Sequence, residues 1–312
     1  MTDPLTDVVT LLEPSARFSK SVVGAGPWCV HRPDASESFY CVVLEGGCRV
    51  LTEGDEALTL RSGDFLLMPA SHGTAMASLE DVDTHIDTQP VALGDGHFRI
   101  GQQDGPIDLR MQIGHCQFAS PDAALLISLL PRRVHIRGDR RLAVLVKLVG
   151  EEARAQRPAR EMVLTRLLEV LLIEALRSNT PTQASPGLVS GLSDARLAQA
   201  LRAMHGDPSR RWSMGELARH AALSRSTFFE RFSRAVGMAP MAYLLAWRMA
   251  LAKQLLRRGD AGITEIAERV GYSSASTFSA AFSRHAGMAP TRYAARGNRD
   301  APTPAQATSL SI

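Results

Sequence analysis

The nine residues FSRAVGMAP at 232–240 return as FSRHAGMAP at 282–290, with seven of nine letters kept and a tyrosine three positions after each proline (Tyr243 and Tyr293). Repetition this tight obliges the chain to build one local structure twice. In each copy two phenylalanines stand four apart, Phe228 and Phe232 in the first and Phe278 and Phe282 in the second, so each pair shares one helix face. Gly237 and Gly287 supply the left-handed stop that ends such a helix. Pro240 and Pro290 then open the next helix in its first turn, where a missing N–H costs nothing.

Each copy extends upstream with the same grammar. SMGELARHAA is a short amphipathic helix, LS a turn, and RSTFFERFSRAV a second helix with Ser224 as its N-cap. In the second copy ITEIAERV ends at Gly271, YSS turns, and ASTFSAAFSRHA follows. The face opposite the phenylalanines is small and polar: Arg225, Ser226, Glu230 and Arg234 in one copy, Ala275, Ser276, Ser279 and Arg284 in the other. A short helix, a tight turn and a second helix with an exposed polar face make a helix-turn-helix, whose second helix fits a major groove. An all-α repeat array is the bland reading. Two copies are too few for a stable solenoid, and an array leaves the local charge unexplained.

That charge is uneven. Residues 193–312 hold 17 Lys and Arg against 8 Asp and Glu, whereas residues 1–192 hold 18 against 24. A basic segment beside an acidic one suits a polyanion-binding part joined to a part with another task. Between the two readers lies MAYLLAWRMALAKQLLRR, 18 residues. At ~1.5 Å per residue it extends about 27 Å, close to the ~34 Å between successive major-groove faces once packing is included.

The first 118 residues read as short strands. FYCVVLEGGCRVLTEG is expected to form a β-hairpin about Gly46-Gly47, and LTLRSGDFLLMPASHG another about Gly63-Asp64. Further turns are expected at Gly94–Gly96 and Gly105-Pro106. Short strands at this spacing predict a small barrel or sandwich. From residue 121 the texture is helical. In REMVLTRLLEVLLIEALRS the polar residues Arg166, Glu169 and Arg177 keep a narrow stripe, leaving more apolar face than one barrel can cover. That predicts packing both on the barrel and on a second copy of the chain. Residues 178–191, SNTPTQASPGLVSG, carry no charge and read as a linker, and the tail from 298 as disordered.

Four cysteines are too few for a disulfide scaffold, no stretch is apolar enough to span a membrane, and the acidic N-terminus lacks a signal pattern. A cytoplasmic protein is the expectation. On the expected hairpin Cys41 faces Thr52 and Glu45 faces Cys48, which puts the two thiols on the order of 13 Å apart, beyond disulfide reach. Cys29 with His31, and Cys116 with His115, offer a cross-strand Cys/His cluster suited to redox or soft-metal sensing. Buried, inert cysteines are the alternative. His97 and His135 read as ordinary loop or surface residues.

On these residues the segment 193–297 resembles the DNA-binding domain of the AraC/XylS family of transcriptional regulators, with ITEIAERVGYSSASTFSAAFSRHAGMAPTRY close to the family signature. FYCVVLEGGCRV and LRSGDFLLMPASH likewise resemble the cupin-type barrel found at the N-terminus of many members. The resemblance implies a two-domain chain: an N-terminal all-β cupin-like barrel with following helices, then an all-α double helix-turn-helix. Expected boundaries are a sensor barrel at 1–118, a helical dimerisation region at 119–178, a linker at 179–191, the DNA-binding domain at 192–297 and a tail at 298–312. It implies promoter double-stranded DNA, RNA polymerase and a small-molecule effector as partners, a homodimer, and usually activation of transcription.

Aligned on the phenylalanines, the family's reading positions fall on Ser226, Phe229 and Glu230 in the first copy and Ala275, Ser276 and Ala280 in the second. The DNA-facing set is expected to comprise Arg225, Ser226, Thr227, Phe229, Glu230, Arg231 and Arg234, with Ser274, Ala275, Ser276, Thr277, Ser279, Ala280 and Arg284. The second copy, mostly Ala and Ser, is expected to give phosphate and shape recognition, and the first more of the sequence choice. Phe229 either meets thymine methyls or belongs to the core, and the core is the expectation. Metal-binding cupins carry His-x-His on one strand; here that place falls near Ser38–Cys41, without histidine, and His72 is out of step. No metal, cofactor or enzymatic activity is expected. The candidate effector or redox residues are Cys29, His31, Cys41, Cys48, His72, His115 and Cys116.

Overall fold

A computed structural model of the chain describes residues 3–32, 38–70, 73–85, 87–155, 157–178 and 186–297. His72, the greater part of the expected linker (179–185) and the expected tail lie outside them. The chain divides into two compact units: Val8–Ala119 with Ala123–Ser190, and Gly191 onward with the stretch ending at Asp7 and Ser120–Asp122.

The first unit begins in helix α1 (Pro4–Leu12) and continues through strands β1 (Pro14–Ala25), β2 (Cys29–His31), β3 (Ser38–Thr52), β4 (Leu58–Arg61), β5 (Phe65–Met68), β6 (Thr74–Ala77), β7 (Val91–Gly94), β8 (His97–Gly101) and β9 (Leu109–Phe118). After α2 (Ala123–Ser128), strand β10 (Val134–Ile136) joins the sheet, and α3 (Arg140–Arg154) and α4 (Arg160–Ser178) pack on it. The strand order is β10-β5-β3-β9-β1-β8-β7, with β4 and β6 paired to β3, and β2 to β6. This curled sheet is a cupin-like half-barrel. Its core is filled by inward residues such as Phe39, Val43, Leu60, Leu66, Met111 and Ile113.

The hairpin expected at Gly46-Gly47 is absent. β3 runs unbroken through both glycines, pairing with β5 and β9 before them and with β4 and β6 after them. A register shift against β9 falls between Val43 and Glu45. Gly46 has φ +74°, and a Cβ there would lie 1.8 Å from the Asp108 carbonyl oxygen; one on Gly47 would lie 2.6 Å from that of Leu60. The glycines therefore admit neighbouring backbone at a bulged bend that hands the strand from one half of the sheet to the other. Cys41 and Cys48 consequently do not lie on the two strands of a hairpin: they point into one apolar core from two arms of one strand.

The Gly63-Asp64 turn is present, but β4 and β5 pair with the two arms of β3 and not with each other. Asp64 closes it, accepting the Arg61 N–H at 3.0 Å, and its carboxylate also meets His135 Nε2 at 3.2 Å. His135 thus sits within β10, not in a loop, and His97 opens β8 in the β7–β8 hairpin about Gly94–Gly96.

Helix α5 (Leu188–Ser193) occupies the end of the expected linker, because Leu188 and Val189 are apolar and buried. Seven helices follow among the described residues: α6 (Ala195–Gly206), α7 (Met214–His220), α8 (Arg225–Val236), α9 (Pro240–Arg258), α10 (Ile263–Arg269), α11 (Ala275–Ala286) and α12 (Pro290–Gly297). Among the described residues no single helix is long and apolar enough to cross a membrane.

Candidate functional site

The two copies of the repeated phrase build matching corners. Phe228, Phe232, Phe278 and Phe282 are fully buried. The paired rings lie 5.5 Å apart in α8 and 5.6 Å apart in α11. The tyrosine after each proline packs edge-on against the second phenylalanine, Tyr243 on Phe232 at 5.8 Å and Tyr293 on Phe282 at 5.4 Å. That contact explains why the tyrosine belongs to the repeat: it ties each outward-facing helix to the helix that follows. Gly237 and Gly287 end α8 and α11 at φ +84° and +71°.

Both helices begin on a serine cap. Ser224 Oγ accepts the Thr227 N–H at 3.2 Å, and Ser274 Oγ accepts that of Thr277 at 3.2 Å. The cap serine and threonine hydroxyls also bond each other, at 2.8 Å and 2.9 Å. Thr227, Ser274 and Thr277, placed by the sequence toward DNA, therefore commit their hydroxyls to the helix ends. Arg225, Ser226, Phe229, Glu230 and Arg234 stay exposed on α8. Arg231 is also exposed but is held by the carboxylate of Asp194, itself the N-cap of α6. On α11 the outward positions are Ala275, Ser276, Ser279, Ala280 and Arg284, the serine and alanine faces being small.

Phe229 is not a core residue. It is 46% exposed, because it stands about 100° round α8 from Phe228, while Phe228, Phe232 and Val236 share the inner face. Between the two corners α9 runs for 19 residues. It is anchored where Arg248 donates to the Pro208 carbonyl at 2.8 Å and to that of Arg210 at 2.6 Å. The described helical unit thus presents two like-capped helices with polar outer faces on a rigid spacer.

The half-barrel holds a partly open cavity of about 270 Å³. Alternation along β1 turns Phe18, Lys20 and Val22 into it, and alternation along β9 turns Met111, Ile113 and His115. Trp28, His31 and Arg32 contribute from β2 and its flanks. Arg32 Nη2 lies 2.9 Å from His115 Nδ1, and Phe18 stacks on the imidazole at 4.0 Å. Burial, reinforced by the charges of Arg32, Lys20 and Arg17, pushes His115 down to about 3, so it is neutral at physiological pH. Burial likewise pushes Arg32 down to about 10, and lowers Lys20 with help from Arg32. The sequence reading singled out His31 and His115 but missed Lys20 and Arg32. The signal was a basic residue placed among apolar ones in strand-like runs, as in FSKSVV.

The expected cross-strand Cys/His cluster does not form. β2 pairs with β6, while β9 lies between β3 and β1, so Cys29 and Cys116 are not on neighbouring strands. Cys29 Sγ is 3.7 Å from His31 Nε2, whose ring is also 2.7 Å from the Thr84 carbonyl. All four cysteines are buried. Burial pushes Cys41 and Cys116 up to about 12, and raises Cys29 and Cys48 as well. Among the described residues no three His, Cys, Asp or Glu side chains gather to hold a metal ion.

Comparison with known proteins places this geometry. A cupin family model matches residues 3–180 and a helix-turn-helix domain model residues 217–296. A protein described as an AraC-like transcription regulator in Streptomyces lividans is 34% identical over 286 residues, covering 87% of this chain and 91% of that protein. Another so described in Streptomyces antibioticus is 36% identical over 280 residues, covering 87% and 91%. The HTH-type transcriptional regulator AlkR of Acinetobacter baylyi is 28% identical over 264 residues, covering 80% and 85%.

Proposed function

We propose, on the premise that this chain belongs to the AraC family of DNA-binding transcriptional regulators with an N-terminal cupin domain, that it activates transcription when a small molecule occupies its half-barrel. One observation carries the reading. Two helices with matching caps, α8 and α11, hold polar faces outward on either side of a 19-residue spacer.

The outward residues divide the work. Arg225 and Arg234 on α8 and Arg284 on α11 meet phosphates and fix register. Ser226, Phe229 and Glu230 carry base choice, with Phe229 free to lie against a thymine methyl and Glu230 to accept from cytosine. Ala275, Ser276, Ser279 and Ala280 allow close approach and shape recognition, since none of them forms a bidentate base contact.

The chain acts as a homodimer at promoter DNA, in contact with RNA polymerase. Support for the dimer comes from α3 and α4, which leave Val144 56% and Met162 69% exposed, with Leu148, Val163 and Val170 also open to solvent. Large apolar side chains left uncovered on these two helices suit a docking face for a second copy. Relatives over most of the length are transcriptional regulators, and the metal-dependent cupin enzyme is not carried forward.

The test is binding of the full-length protein to a duplex selected from a random pool, measured by fluorescence anisotropy across a salt series. Affinity falling steeply with salt is expected, and salt-independent or absent binding overturns the reading.

A further inference from the structure

We infer that the half-barrel cavity is built for a small amphipathic anion, a monocarboxylate with an apolar body of roughly octanoate or phenylacetate size. The inference rests on the reading of the barrel as an effector site and names the class of effector.

The walls are apolar: Val22, Trp28, Phe98, Ile100, Met111 and Ile113 face the space. Into them project two cationic side chains, Lys20 and Arg32, and no Asp or Glu is among the lining residues that the structure describes. Neither cation forms an ion pair with a carboxylate among the described residues. What they touch instead are π faces and an imidazole: Lys20 Nζ sits 5.6 Å from the Phe18 ring and 5.5 Å from that of Phe98, and the Arg32 guanidinium lies 3.8 Å over Phe39. Placing two like charges in an apolar cavity is unfavourable unless an opposite charge arrives, and both carry the mark of that cost in lowered pKa values. His115, neutral and within 2.9 Å of Arg32, adds no counter-charge.

Size limits the guest. At about 270 Å³ the cavity lies at the small end of ligand sites, which suits a single ring or a short chain. A carboxylate accepts from Arg32 and Lys20 at one end while a short chain or single ring fills the apolar remainder. A cation is rejected by repulsion, and an alcohol leaves both cations unneutralised.

The probes are octanoate and phenylacetate, against 1-octanol and octylamine, titrated into the full-length protein by calorimetry and by melting temperature. The carboxylates are expected to bind roughly tenfold to a hundredfold more tightly than 1-octanol, and octylamine not at all. The Lys20→Met/Arg32→Met double variant is expected to lose that preference while still binding 1-octanol. Its melting temperature without ligand should equal or exceed that of the wild type, because two desolvated charges are removed. Equal affinity for octanoate and 1-octanol, or octanoate affinity unchanged in the double variant, overturns the anion inference and leaves the effector reading standing. Binding by none of the probes overturns both. If the double variant does not fold, the order among the probes in the wild type decides alone.

Discussion

Phe228 and Phe229 are neighbours in sequence with opposite tasks, and exchanging each for alanine separates folding from recognition. Phe228 is fully buried beside Phe232 in the first corner. Removing a ring from such a site costs about 3–5 kcal/mol. Phe228→Ala should therefore unfold or nearly unfold the helical unit and abolish DNA binding with it. Phe229 is 46% exposed, so of roughly 200 Å² on a phenylalanine side chain about 90 Å² is open to a partner. Complete coverage by DNA is worth about 2 kcal/mol at ~25 cal/mol per Å², and half coverage about 1 kcal/mol, or about fivefold in Kd. Phe229→Ala should leave stability within about 1 kcal/mol of wild type yet weaken binding about fivefold. The loss should be largest on duplexes carrying thymine at the affected step. Chemical denaturation followed by tryptophan fluorescence reads the first quantity, and anisotropy on a selected duplex reads the second. A large stability loss for Phe229→Ala, or unchanged DNA affinity, refutes the assignment of the α8 outer face. So does near-normal stability for Phe228→Ala.

Three further outcomes follow from the barrel. Gly46→Ala should cost about 3 kcal/mol or more, because its Cβ meets the Asp108 carbonyl at 1.8 Å, whereas Gly54→Ala, with open space around it, should cost only about 1 kcal/mol; equal effects in thermal melts contradict the bulge account. In the native protein the four buried cysteines should react with a thiol reagent at least about a hundredfold more slowly than in the unfolded chain, and DNA affinity should survive mild oxidation; fast labelling revives the thiol sensor. His115 stays neutral when folded down to about pH 3 but takes a proton near 6.5 when unfolded, so its contribution is complete above 6.5 and is lost as pH falls toward 3. Between pH 7 and 5.5 the stability gap between wild type and His115→Asn should narrow by about 1 kcal/mol, and parallel pH curves contradict this.

The helical corners were legible because their signals are local. Phenylalanine spacing, a capping serine, a left-handed glycine and a first-turn proline all act within one turn of helix, so the letters dictate the geometry. Phe229 was misread because the side-chain type argued for the core while the helical angle from Phe228 argued against it, and angle prevails. In the barrel the decisive contacts are distant. Gly46-Gly47 has the letters of a hairpin turn, but the Asp108 and Leu60 carbonyls that need the missing Cβ atoms come from strands far along the chain. Lys20 and Arg32 look like surface residues until alternation along β1 turns Lys20 inward and the chain leaving β2 brings Arg32 to the same cavity. The Lys253–Asp122 ion pair, at 2.5 Å and 131 residues apart, has no sequence signal at all.

The central claim is that α8 and α11 read one duplex in two successive major-groove turns. Methylation interference with the full-length protein on a selected duplex tests it directly. Two patches of major-groove guanine contact about 10 base pairs apart on one face are expected for each protomer. Arg284→Ala should weaken only the patch assigned to α11, and the Ser226→Ala/Glu230→Ala double variant only the patch assigned to α8. A single patch, or two patches on opposite faces of the duplex, contradicts the account.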